Sequence, residues 1–331
     1  MSRAWNLGIR SMGVMLLGIT MLGVAACGDD ENSAAGDSTP EGGNDRLAVV
    51  ATTTIIADLA RNVAGEHAEV SSLLPVNADP HDFEPTPGDI EMVADAELIL
   101  EHGLELDIWA DGLIDESGTD APVSVVTAGV RTIQGEEDDH EDEDDHEDEE
   151  GGEHTGVDPH VWFDVANAQI MVRNIRDGLT IADPDNTDAY AANADAYLAE
   201  LDELDDWIRE QIAAIPQENR KIVTNHDAFG YYVDTYDLEL VGTVIPSLDT
   251  QAQASAQEIA ALLDVIEAEG VSAIFSENTV NPNLAEQLAD EAGIEVVDDL
   301  YSDALGDDES GAGTYIDMMR LDTTRIVEAL T

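Results

Sequence analysis

The sequence predicts an α/β fold of two lobes, each with a mainly parallel sheet flanked by helices, joined by one long linker helix. Three observations predict it. Short β-branched apolar runs alternate with amphipathic stretches from Leu47 to Val130, and the same alternation restarts beyond Pro216, which is the rhythm of β-α-β units. Between the halves Tyr190, Ala194, Tyr197, Leu201, Leu204, Ile208 and Ile212 recur every three or four positions, the repeat of one helix face. A chain of 331 residues with 43% hydrophobic content can also fill about two cores without covalent staples.

The first lobe is assigned to residues 47–186. Leu47 to Ile56 is apolar and rich in β-branched residues, so it predicts a buried strand, with a short helix over Ala57 to Ala64. Val70 to Val76 predicts a second strand, Gly88 to Ala96 a helix with Ile90, Met92 and Val93 inward, and Glu97 to Leu100 a third strand. Leu104 to Ile114 reads as a helix and Pro122 to Val130 as a strand. Residues 135–155 then interrupt the lobe with Gly, Glu, Asp and His and nothing apolar. Such a stretch has no surface to bury and predicts a disordered insertion. Val165 to Ile181 is helical and breaks at Asp183-Pro184-Asp185-Asn186.

The linker helix is expected over 187–215, stopped by Pro216 and roughly 40 Å long. The second lobe, 216–331, offers strands at Lys221 to Thr224, Leu238 to Ile245, Val271 to Phe275 and Ile294 to Val297. Helices are expected at Ser255 to Glu269, closed by Gly270, at Asn283 to Ala292, closed by Gly293, and at Thr314 to Leu330. The halves share no visible sequence repeat, only an architecture.

Composition narrows the chemistry. Residues 1–26 carry Arg3 and Arg10, an apolar segment from Met12 to Ala26 and small residues before Cys27, the order of a secretory signal peptide. A cysteine directly after Leu22-Gly23-Val24-Ala25-Ala26 resembles a bacterial lipoprotein cleavage site. That likeness implies a lipidated Cys27, a membrane anchor and an extracytoplasmic location, on the outer face of a plasma membrane or in a periplasm. Residues 27–46, rich in Gly, Ser, Asp, Asn and Glu, then form a flexible tether. The formal net charge of −62 excludes nucleic acid as a partner, because two polyanions repel. An acidic surface this extreme is screened by salt and points to a salty habitat.

Cys27 is the only cysteine, so a transition-metal site must use nitrogen and oxygen ligands. Three histidines lie in comparable islands: Asp79-Pro80-His81, Asp158-Pro159-His160-Val161-Trp162-Phe163-Asp164 and His226-Asp227-Ala228-Phe229-Gly230-Tyr231. His81 and His226 each follow a predicted strand, where open α/β sheets present ligand-binding loops, and His160 lies between the acidic insertion and a predicted helix. His67 and His102 lie beside or within predicted strands and read as surface or core residues. Asp79, Asp158 and Asp227 serve either as turn formers or as acceptors of a histidine's second ring N–H. Trp162, Phe163, Phe229 and Tyr231 read as packing that holds the loops.

These islands, with Glu84-Pro85-Thr86-Pro87, Leu300-Tyr301-Ser302-Asp303-Ala304-Leu305-Gly306 and Gly313-Thr314-Tyr315-Ile316-Asp317-Met318-Met319, resemble the zinc- and manganese-binding receptors of bacterial ABC importers over Leu47 to Leu330. The resemblance implies a monomeric receptor, not an enzyme, whose partners are an ABC permease and its ATPase. It implies a metal site of His81 and His160 from the first lobe and His226 and Asp303 from the second, with Glu277 as the rival fourth ligand. The cargo is expected to be Zn²⁺, with Mn²⁺ possible if the carboxylate binds through both oxygens. The acidic insertion, with His140, His146 and His154, then reads as an accessory weak metal loop. A metal buffer or a metallohydrolase are the rival readings, although no HExxH spacing, serine nucleophile elbow or phosphate loop is present.

Overall fold

A computed structural model describes residues 46–135 and 156–331. Cys27, most of the tether, and His140, His146 and His154 of the insertion lie outside the described residues.

The first lobe runs β1 (Leu47–Ala51), α1 (Thr54–Ala64), β2 (Ala68–Ser72), α2 (Pro87–Ala94), β3 (Leu98–Glu101), α3 (Trp109–Ser117), β4 (Val123–Val125) and α4 (Val165–Ala182). Its strands are all parallel in the order β2-β1-β3-β4. After α5 (Thr187–Ile212) the second lobe runs β5 (Lys221–Thr224), α6 (Gly230–Tyr236), β6 (Glu239–Thr243), α7 (Ala256–Glu269), β7 (Ala273–Glu277), α8 (Asn283–Ala292), β8 (Glu295–Leu300) and α9 (Tyr315–Leu330). Its order, β6-β5-β7-β8, repeats the first and is again parallel. Both sheets therefore reverse their winding beside their first strand, β1 in one lobe and β5 in the other, and such a point leaves a crevice at the carboxyl ends of the strands.

Alternation along the strands sorts the core. Val49 and Ala51 of β1 face inward with α1, α4, α5 and α9, whereas Val50 faces outward into a smaller cluster with Leu73, Val93, Ile99 and Leu113. In the second lobe Ile222 and Phe275 join the same inner core, while Val223 and Ile274 pack outward with Leu262 and Leu288. One continuous apolar core thus serves both inner faces. The buried stripe of α5 is the one expected, Tyr190, Ala194, Tyr197, Leu201, Leu204, Ile208 and Ile212. Polar bonds also cross between lobes: Leu305 N–H donates to Thr54 Oγ1 at 2.9 Å, and Tyr315 N–H, opening α9, donates to Asp58 Oδ2 at 2.9 Å.

Several element bounds differ from expectation for local reasons. The strand predicted over Leu47 to Ile56 stops at Ala51, because Thr53 accepts Ile56 N–H at 3.3 Å and caps α1. The helix predicted from Leu104 starts only at Trp109, since Leu104 and Glu105 adopt positive φ values of 52° and 65°. There the buried Asp107 carboxylate accepts the N–H groups of His102 and Gly103 at 2.6 and 2.9 Å and folds the segment into a loop. The strand expected over Pro122 to Val130 shrinks to Val123–Val125. α5 ends at Ile212, so the segment to Ile215 is a turn before Pro216. α6 was not expected at all, because its short aromatic run lacks a helical repeat.

Candidate metal centre

His81, His226 and Asp303 each sit in a loop after a strand, β2, β5 and β8, and His160 sits in the turn that leads into α4. His81 lies in a 3₁₀ turn, Pro80–Asp82, whose cap Asp79 accepts His81 N–H on Oδ1 at 2.9 Å. Trp109 Nε1–H donates to Pro80 O at 3.0 Å and pins that turn to α3. His160 caps a second 3₁₀ turn, Val161–Phe163, which is buried throughout. Trp162 of this turn donates its indole N–H to Ser302 O at 3.0 Å, and Tyr315 Oη–H donates to Trp162 O at 2.6 Å. The aromatic residue thus links the loops of both lobes. His226 follows β5 and Asp303 follows β8.

The side chains converge. One ligand atom from each of His81, His160, His226 and Asp303 lies within 4.8 Å of every other, with only His81 incompletely buried. His160 Nε2 is 3.2 Å from Asp303 Oδ1, and His226 Nε2 is 3.5 Å from Asp303 Oδ2. Four ligands at ~2.0–2.1 Å around a tetrahedral ion have edges of about 3.3 Å, so these two separations are of the size expected for ligands sharing one small divalent ion. The Nε2 atoms of all three histidines and Asp303 Oδ1 are buried without a hydrogen-bond partner. Orphaned buried donors and acceptors are costly, and an ion among them would satisfy all four.

Electrostatics follow from that crowding. Burial, together with the neighbouring imidazoles and against the Asp303 carboxylate, pushes His81 down to about 4. His160 is pushed up to about 10: burial opposes the shift, but the hydrogen bond to Asp158 and the charges of Asp158 and Asp303 outweigh it. His226 is raised as well, burial being outweighed by Glu277 and Asp303. Asp303 is held far below the usual carboxylate range, because the three histidines overcome its burial.

The supporting residues fall into place around this centre. Asp158 does both jobs considered for it, with Oδ1 accepting His160 N–H at 2.9 Å and lying 2.7 Å from His160 Nδ1. Tyr231 Oη–H donates to Asp158 O at 2.8 Å and fixes that loop to α6. Glu277 stands behind His226: Oε1 accepts the N–H groups of Asn225 and His226 at 2.9 and 3.0 Å, and Oε2 is 2.5 Å from His226 Nδ1. That places Asp303 in the cluster and leaves Glu277 on the far side of the imidazole, where it orients the ring. His102 is a core residue outside the cluster, its Nε2 2.8 Å from Pro159 O beneath the His160 loop.

Sequence reasoning missed the groups that hold Asp303. Ser302 Oγ and Thr279 Oγ1 donate to Asp303 Oδ2 at 2.9 and 3.2 Å. Ser302 was visible as the neighbour within the 300–306 motif, whereas Thr279 lies 24 positions away in another loop and carried no signal.

The family model described as zinc-uptake complex component A, periplasmic (ZnuA), matches residues 49–329. The chain belongs to this family. Its curated relatives include the manganese-binding lipoprotein MntA of Halalkalibacterium halodurans, 34% identical over 93% of this chain and 94% of that protein. The iron-binding protein YfeA of Yersinia pestis is 32% identical over 89% of this chain and 90% of its own length. Among solved structures, the periplasmic zinc binding protein TroA from Treponema pallidum superimposes with a TM-score of 0.76 at 30% identity, covering 86% of this chain and 99% of that one. The family is thus one of metal-binding transport proteins whose named members differ in the metal they take. No helix among the described residues is long and apolar enough to cross a membrane.

Proposed function

We propose that the chain is the extracytoplasmic receptor of an ABC importer, lipid-anchored through Cys27, which captures Zn²⁺ between its lobes and hands it to a permease driven by an ATPase. The observation that carries this reading is the set of four converging, orphaned donors, two from each lobe. Neither lobe alone offers more than two ligands. Tight binding therefore requires both, and the free energy of coordination favours the closed arrangement. Three imidazoles and a carboxylate fill a tetrahedral shell, which leaves no open position for an activated water and argues against a metallohydrolase.

The order of events follows from the burial. Metal enters while the lobes are parted, His81 at the rim being the least enclosed ligand. Asp303 and the deeper histidines complete the shell as the lobes close, and Asp158 and Glu277 hold His160 and His226 with their free nitrogens turned inward. Release requires the permease to part the lobes again or acid to protonate the imidazoles.

A manganese receptor is the second reading. It is favoured by the 34% identity to a protein named as manganese-binding and by the placement of Asp303, whose two oxygens each face a different histidine and can both reach an ion. Competitive titration of the demetallated mature chain with Zn²⁺ and Mn²⁺, repeated on a chain lacking residues 136–154, separates the readings. One tight zinc site that survives the deletion, with weaker extra sites lost, is the expected result for a zinc receptor with an accessory loop. A tight manganese site instead selects the second reading, and the absence of any tight site overturns both.

A further inference from the structure

The loop that carries His81 belongs by sequence to the first lobe but is hydrogen-bonded to the second. Asn77, at a positive φ of 58°, donates its N–H to Leu305 O at 3.0 Å, and its side-chain oxygen accepts Asn278 Nδ2–H at 3.1 Å. Two residues on, the Asp79 carboxylate is divided between the lobes. Oδ1 accepts the N–H of His81 at 2.9 Å, while Oδ2 accepts the hydroxyl of Thr250 at 2.5 Å. Thr250 stands between β6 and α7, on the wall of a cavity of about 500 Å³ that Asp79, Thr279 and Asn281 also line.

We propose that Thr250 is a positioning residue that couples closure of the lobes to the placement of His81, an inference that rests on the receptor reading above. A carboxylate with both oxygens engaged has its plane fixed, and that plane sets the start of the 3₁₀ turn holding His81. The hydroxyl-to-carboxylate bond is of the short, charge-assisted kind, stronger than a neutral one. When the lobes part, Thr250 withdraws, Asp79 keeps only its hold on His81, and the turn loses the restraint that aims the imidazole at the ion. The Asn77 contacts tie down the same loop farther from the metal. Thr250 is the member of this strap that acts on the residue gripping His81. Because the bond forms only on closure, it governs how slowly metal leaves and not how fast it arrives.

The test is stopped-flow release of Zn²⁺ into a chelator from the full mature chain, alongside the association rate. Thr250→Val keeps the shape and removes the hydroxyl; the expected result is release about three- to tenfold faster with association unchanged, and slow release restored by Thr250→Ser. Release from Thr250→Val at the wild-type rate overturns the proposal. So does an equal acceleration in Thr250→Val and Thr250→Ser with a matching fall in melting temperature, which assigns Thr250 to structure alone. A wild-type chain that takes up no tightly held equivalent of either zinc or manganese overturns the receptor reading itself, and the coupling with it.

Discussion

His102 and His226 are both fully buried, yet only His226 turns a free nitrogen toward Asp303. His226→Ala is expected to lower metal affinity about a hundredfold or more, whereas His102→Ala should cost ~1–3 kcal/mol of stability and leave affinity within a few fold; equal losses of affinity, measured by chelator competition, would refute the site. Protonation gives a second check. With a pKa near 10 against ~6.5 in an unfolded chain, His160 is charged in the metal-free protein at pH 7. Its pairing with Asp158 and Asp303 stabilises the fold fully below about 6.5, and that contribution is lost as pH rises through about 10. His81, near 4, has the opposite sign and costs stability as pH falls from about 6.5 toward 4. Metal must therefore eject protons, and calorimetry at pH 7 in buffers of different ionisation heat should find about one to two released per ion. A heat independent of buffer would contradict it. At this scale the sequence was informative because proline turns and apolar anchors flank each histidine within a few residues. Thr279 and Thr250 were invisible because their partners are remote and a lone threonine in a polar loop carries no local pattern.

The long helix and the two sheets were legible because each rests on a repeat, three to four residues for α5 and short β-branched runs for the strands. The ends of elements were less so. Thr52-Thr53-Thr54 reads as strand by composition, but a threonine hydroxyl also caps a helix, and the local hydrogen bond decided the boundary at α1. α6 was hidden because seven residues are too few to display a period. Leu204, fully buried midway along α5, tests the helix as a shared structural element. Leu204→Ala should destabilise the chain by ~2–5 kcal/mol in denaturant unfolding, while the folded protein still binds one equivalent of metal. Loss of less than ~1 kcal/mol would mean that α5 is peripheral to the core.

Across the whole molecule, charge is unevenly distributed. No lysine or arginine occurs between residues 62 and 130 or between 222 and 319, the segments that supply three of the four converging loops. Among the described cations, Arg131 pairs with Asp164 and Asp234. Self-repulsion in so acidic a chain falls as salt screens it, so the melting temperature should rise between low and molar NaCl, and an unchanged or falling value would exclude the salty habitat inferred from composition. What the two lobes hold between them is the central claim. X-ray absorption at the zinc edge, on the mature chain loaded with one equivalent, tests it most directly. Three imidazole nitrogens and one carboxylate oxygen at ~2.0–2.1 Å, with one imidazole lost in His160→Ala, are the predicted result. A shell of oxygens alone, or one indifferent to His160→Ala, would contradict it.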